Sequence, residues 1–139
     1  KMYLGQKDAQ QALVIKKMIN DLNLDVKLRV CPIIREKDGL ALSSRNKHLS
    51  VDQRRESIIL YKSLKRARQR IKDGEKKTKI IIDLIAQNIS NHSQGIVEYI
   101  VCVDEKNLED VKNIEKKVLI ALAIKFGSTR LIDNIIIKS

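Results

Sequence analysis

The sequence predicts an α/β protein, in which the end of a parallel α/β sheet domain precedes a small α+β domain with helices and a three-stranded antiparallel sheet. Three observations support this fold class. A helix pattern is followed closely by a strand pattern near the start of the chain, two more helix patterns come next, and three apolar strand patterns follow them. We therefore divide the chain into residues 1–46 and residues 47–139.

The composition indicates a folded and strongly basic protein. Lys and Arg number 28 against 17 Asp and Glu, a net charge of +11 that attracts phosphates, nucleic acids or anionic metabolites. There is no run of eighteen apolar residues and no visible signal peptide, so we expect no membrane contact. Cys31 and Cys102 lie in β-branched stretches, which favours two buried thiols in a reducing cytoplasm.

The first helix is predicted from Asp8 to Leu22, with Asp8 as its N-cap. Its apolar positions recur at spacings of three and four: Ala12, Ile15, Ile19 and Leu22. A half-buried strand is predicted to begin near Val26 and to end at Pro32. No strand-length segment is apparent before the helix, so we expect the other strands of this parallel sheet to lie outside the sequence.

After Asn46 the pattern changes to that of a second unit. Ser50 and Gln53 form a capping box at the start of a long helix, which Gly74 would end. One face of this helix is apolar: Ile58, Tyr61, Leu64, Ala67 and Ile71. A further helix is predicted from Thr78 to Ile89.

Three strands are predicted in the last part of the chain: Ile96 to Val103, Val118 to Phe126 and Arg130 to Ile137. Only the short turn of residues 127–129 separates the last two strands, so they should pair as an antiparallel hairpin. With the two preceding helices they predict a small helix-plus-sheet domain.

Two polar clusters could carry chemistry. The first, "GQKDAQQ" at residues 5–11, places a glycine, a lysine and an aspartate at the start of a helix, an arrangement suited to a nucleotide. The second, "SSRN" at residues 43–46, presents two hydroxyls and an arginine that can hold a triphosphate. Both clusters are also ordinary loop chemistry, since an exposed turn with an N-cap has the same residue types.

Three longer stretches carry a family resemblance: "YLGQKDAQQALVIKKM", "DLNLDVKLRVCPIIREKDGLALSSRNKHLS" and "GSTRLIDN". Together they resemble the second half of the pantoate-beta-alanine ligase family over nearly the whole chain. The resemblance implies a Rossmann-type nucleotidylyltransferase domain followed by a small C-terminal lid domain. It also implies a cytoplasmic, homodimeric ligase of pantothenate and coenzyme A biosynthesis. Such an enzyme condenses pantoate with beta-alanine through a pantoyl adenylate and releases AMP and pyrophosphate.

The resemblance also assigns the site residues. It implies catalytic roles for Lys7 and Arg45, ATP and Mg²⁺ as cofactors, and pantoate binding by Gln11, with no residue of this chain as a metal ligand. Lys7 would lie on phosphate and Asp8 near the ribose. The ATP site would comprise Gly5, Gln6, Lys7, Asp8, Ile34, Leu42, Ser43, Ser44 and Arg45.

The family's histidine motif belongs to an N-terminal half that this sequence does not contain, and neither His48 nor His92 matches it. We therefore expect these residues alone to be inactive. Three alternatives remain: another adenylyl-transferring ligase of the same superfamily, a basic nucleic-acid-binding module, or a non-catalytic scaffold or interaction fragment. The basic helix from Arg54 to Lys72 fits the second, but 3 tyrosines and 1 phenylalanine offer little stacking surface, so we expect no nucleic acid partner.

Overall fold

The structure, a computed structural model, describes residues 1–138. Its first sheet has two parallel strands, β1 (Met2–Gly5) and β2 (Leu28–Cys31), joined by helix α1 (Ala9–Asp21). The expectation that no strand precedes the first helix is wrong. Four residues are too few to show a periodicity, and β1 forms because its backbone pairs with β2, a contact between distant parts of the chain.

The strand predicted from Val26 to Pro32 is β2, which is shorter than expected and largely exposed rather than half-buried. Cys31 at its end is exposed, which corrects the prediction of a buried thiol, because a two-stranded sheet leaves most of β2 uncovered. Cys102 is buried as predicted, and its burial raises the pKa of the thiol to about 11.

The predicted long helix is divided into α2 (Val51–Glu56) and α3 (Ile59–Lys72). The break falls at buried Ser57, whose hydroxyl donates to the Arg54 carbonyl at 2.7 Å and so competes with regular helix geometry. The predicted capping box of Ser50 and Gln53 is present, and Gly74 follows α3 with φ +114°. The last helix, α4 (Thr78–His92), runs one turn beyond its predicted end.

The second sheet confirms the three predicted antiparallel strands: β3 (Ile96–Asp104), β4 (Val118–Phe126) and β5 (Thr129–Ile137), in that order. Residues 127 and 128 form the tight turn between β4 and β5. One face of the sheet packs on α3 and α4 to form the main core. Among residues 1–138 no helix is long and apolar enough to cross a membrane.

Candidate functional site

The two polar clusters of the sequence meet in space. Gly5 ends β1, and residues 6–8 form the loop from that strand to α1, at the carboxyl end of a parallel strand where ligands of α/β sheets bind. The Nζ of Lys7 donates a hydrogen bond of 3.2 Å to the Leu42 carbonyl oxygen. A contact across 35 residues of sequence thus places the Lys7 loop beside the segment that carries Ser43, Ser44 and Arg45.

Local hydrogen bonds shape both clusters. The Oδ1 of Asp8 accepts from the Gln11 amide at 3.1 Å, which confirms Asp8 as the N-cap of α1. The Oγ of Ser43 accepts from the Arg45 amide at 3.1 Å. Ser43 thereby caps a short 3₁₀ helix, Ser44–His48. Both side chains act as acceptors in these bonds. The Ser43 hydroxyl therefore still has a proton that it can donate to a ligand.

The remaining predicted residues lie around these clusters. The backbone of Ile34 accepts from the Leu42 amide at 2.9 Å, and the side chains of both residues are exposed. The side chain of Gln11 is exposed on the first turn of α1. His48 ends the 3₁₀ helix that begins at Ser44, and His92 lies at the end of α4, with its Nδ1 2.9 Å from the Asn88 carbonyl oxygen.

The site is electropositive. Burial lowers the pKa of Lys7 below its ordinary value, and the Arg45 guanidinium lowers it further, while the Asp133 carboxylate opposes both effects. Arg45 is exposed and forms no salt bridge within residues 1–138. Two neighbouring cations, one of them partly desolvated, favour the binding of an anion between them.

Strand β5 supports both clusters through two adjacent polar residues. The Nδ2 of Asn134 donates to the carbonyls of Gln6 and Lys7 at 2.9 and 3.1 Å. Asp133 accepts two hydrogen bonds from the guanidinium of Arg35, at 2.7 and 2.9 Å. Arg35 in turn stacks on the Tyr61 ring, 3.6 Å from its centroid.

A cavity of about 310 Å³ opens next to the Lys7 loop. It lies between that loop and the sheet face opposite the main core, and Lys7, Asp8, Tyr99, Asp133 and Asn134 are among the residues that line it. Its size and mixed polar lining fit a small polar ligand.

Comparison with known proteins identifies the family. The family model described as pantoate-beta-alanine ligase matches residues 1–136. The chain belongs to the pantoate-beta-alanine ligase family. It is 51% identical over 136 residues to pantothenate synthetase of Acetivibrio thermocellus, covering 98% of this chain and 48% of that protein. It is 50% identical over 135 residues to the Thermosipho africanus pantothenate synthetase, covering 97% and 48%.

Solved structures of the same family show the same fold. Pantothenate synthetase from Thermus thermophilus matches with a TM-score of 0.89 and 32% identity, over 96% of this chain and 48% of that one. Pantoate-beta-alanine ligase from Francisella tularensis, complexed with beta-gamma ATP and beta-alanine, matches with a TM-score of 0.63 and 29% identity, over 96% and 42%. The chain therefore spans about half the length of the family members it matches.

To bind a resident metal ion, this chain would need several ligating side chains close together. Within the part of the chain that the structure describes, no three His, Cys, Asp or Glu side chains are grouped closely enough to hold a metal ion. We derive no step through a protein-bound metal.

Sequence reasoning missed three polar residues around the site of this ligase-family chain. Arg35, Asp133 and Asn134 received no role, although the last two belong to the "GSTRLIDN" stretch that carried the resemblance. A signal was present, because two adjacent polar residues interrupt the apolar strand "LIDNIII". Their partners lie about a hundred residues away and could not be identified from spacing.

Proposed function

We propose that this chain is part of an ATP-dependent ligase that condenses pantoate with beta-alanine through a pantoyl adenylate, releasing AMP and pyrophosphate. The observation that carries the proposal is the contact between Lys7 and Leu42, which unites the two predicted ATP clusters at one end of a parallel sheet. The names of the relatives and the ATP and beta-alanine complex of the Francisella tularensis protein support the same reaction.

The proposed first step is attack of the pantoate carboxylate on the α-phosphorus of ATP, with pyrophosphate as the leaving group. Negative charge then moves toward the leaving phosphates, where Lys7 and Arg45 would stabilise it. Ser43 and Ser44 would add hydroxyl donors, and the nucleotide would bring Mg²⁺ as part of its substrate complex, since that ion binds readily to phosphates.

The remaining assignments place the substrates around these cations. Gly5 and Gln6 would let the backbone approach the nucleotide, Asp8 would bind the ribose, and Ile34 and Leu42 would contact the nucleotide. Gln11 would hydrogen-bond pantoate. In the second step the beta-alanine amine attacks the acyl carbon of the adenylate and AMP leaves, which requires that water be excluded from the mixed anhydride.

We further propose that residues 1–46 complete a Rossmann-type domain and that residues 47–139 form its lid. The parallel unit of β1, α1 and β2 supports the first assignment. Large apolar side chains are exposed on this unit, as on a surface that other structure covers: Met2, Tyr3, Val14, Met18, Leu22, Leu24 and Val30. In this proposal the rest of the family's length supplies the covering strands and the histidine motif, so residues 1–139 alone are inactive, and the whole enzyme is a cytoplasmic homodimer.

A pyrophosphate-exchange assay on the full-length protein tests the function. With Mg–ATP, exchange should require pantoate and should fall on the order of 10²-fold or more in Lys7→Ala and Arg45→Ala, because each removes charge from the developing phosphate. Lys17→Ala and Arg70→Ala remove exposed cations from α1 and α3 and should leave exchange unchanged.

Each alternative function has its own result in this assay. Exchange that needs a different carboxylic acid would identify another adenylyl-transferring ligase. A folded full-length protein without exchange, but with strongly salt-dependent nucleic acid binding, would refute the ligase and favour the basic module.

A further inference from the structure

We infer that Asp133 and Asn134 are positioning residues that fix the two phosphate-binding clusters relative to each other. The inference rests on the proposed function and gives a role to the "DN" of the "GSTRLIDN" stretch. We name these adjacent residues of β5 the β5 pair: Asn134 contacts the first cluster directly, and Asp133 is connected to the second through Arg35. Neither is proposed to touch the reacting atoms.

The side chain of Asn134 binds the backbone of the first cluster. Its Nδ2 donates to the Gln6 and Lys7 carbonyls at 2.9 and 3.1 Å, while its Oδ1 accepts from the Gln6 side chain at 3.2 Å. The carboxamide is thus used as both donor and acceptor on the loop that presents Lys7. Because two of the three contacts are to main-chain carbonyls, they determine the position of the backbone from which the Lys7 side chain extends.

Asp133 holds the second cluster through Arg35. The Arg35 guanidinium makes two hydrogen bonds to Asp133 and a third, of 3.1 Å, to the Gly39 carbonyl. Arg35 also pairs with Ala41 at the base of the hairpin that leads into residues 42–45. A bidentate arginine–carboxylate pair has a defined geometry, so it orients this hairpin as well as attaching it.

Packing of β5 does not by itself require polar residues at positions 133 and 134. Asp133 and Asn134 are each 2% exposed, in a strand whose other buried residues are almost all apolar. Burial of a charge or an amide is unfavourable unless every polar atom is paired, and apolar residues would pack this strand equally well. The contacts of the pair reach both clusters across 98 to 128 residues of sequence, which is the reason we assign it to positioning.

Amide hydrogen exchange in the full-length protein tests the contacts without reference to catalysis. Asn134→Asp keeps the shape but puts a carboxylate against two carbonyls, so exchange at the Gln6 amide, which donates to the Cys31 carbonyl at 2.8 Å, should rise about tenfold or more. Asp133→Asn should instead raise exchange at the Glu36 and Leu42 amides, which bond within the hairpin. Unchanged exchange at these sites in both variants would overturn the inference.

Kinetics of the full-length protein test the consequence. In Asn134→Asp the kcat/KM for ATP in pyrophosphate exchange should fall on the order of 10²-fold, with a raised KM, because a displacement of about 1 Å costs that much. Loss of folded protein alone would lower kcat and leave KM unchanged. Asn134→Ala, which removes the donor without adding charge, repeats the test if the aspartate variant does not fold.

Asn88→Asp is the matched control. Asn88 is also a buried asparagine, whose Nδ2 donates to Ser63 at 2.8 Å between α3 and α4, away from both clusters. The Asn88 Oδ1 also accepts from the Arg66 guanidinium at 3.3 Å, so the new carboxylate has a partner, and the variant should leave KM unchanged. If the wild type is active and the Asn134 variants, like Asn88→Asp, keep the wild-type KM for ATP, the β5 pair has no positioning role. If the wild type shows no pantoate-dependent exchange, the proposed function fails, and the role assigned to the pair within it fails too.

Discussion

Replacement of Arg35 by alanine should be among the most damaging single changes in this chain. It would leave the Asp133 carboxylate, whose side chain is 1% exposed, without its partner. Removal of one member of a buried ion pair costs about 3–5 kcal/mol. The Arg35 side chain is 17% exposed, so the lower end applies, and the lost stacking on Tyr61 adds about 0.5–1 kcal/mol. Together these two contributions predict a loss of about 3.5–4 kcal/mol in the free energy of unfolding.

Urea unfolding followed by circular dichroism measures this loss. With a slope of about 2 kcal/mol per molar urea, the midpoint should fall by about 2 M. Arg130→Ala is the control, because its ion pair with Glu98 at 2.6 Å is exposed, with side-chain exposures of 42% and 34%. Such a pair contributes about 0–1 kcal/mol. Equal, small losses in both variants would refute the argument that Asp133 depends on Arg35.

Two further predictions concern backbone strain and proton binding. Gly39→Ala should destabilise the chain by about 1–3 kcal/mol, since φ is +100° and the new Cβ would lie 2.7 Å from the Tyr61 ring. Gly74→Ala, with φ +114° but open space around the new Cβ, should cost less when both variants are compared by thermal unfolding, and equal losses would contradict a steric role for Tyr61. In the full-length enzyme, the kcat/KM for ATP should decline with rising pH before the ordinary lysine pKa of 10.5, because the pKa of Lys7 is lowered and its charge is lost early. Lys7→Arg should keep its charge and move the decline to higher pH, so an unshifted profile would exclude Lys7 as its cause.

Local signals were sufficient for most of the secondary structure. The capping box at Ser50, the glycine after α3 and the three apolar strands depend on neighbours within a few residues, and the structure confirms them. Strand β1 and the break at Ser57 were missed. The first depends on pairing with a distant strand, and the second on a side-chain bond that competes with the helix.

The sequence by itself determined the family and the two polar clusters, because long motifs carry residue identity and order. The functional roles of those residues and the boundary at residue 46 stay predictions. Tertiary structure alone decided that Lys7 contacts Leu42, that Cys31 is exposed, and that the β5 pair contacts Arg35 and the Lys7 loop. The physical reason is that helix and turn propensities act over a few residues, whereas these contacts depend on how distant segments pack.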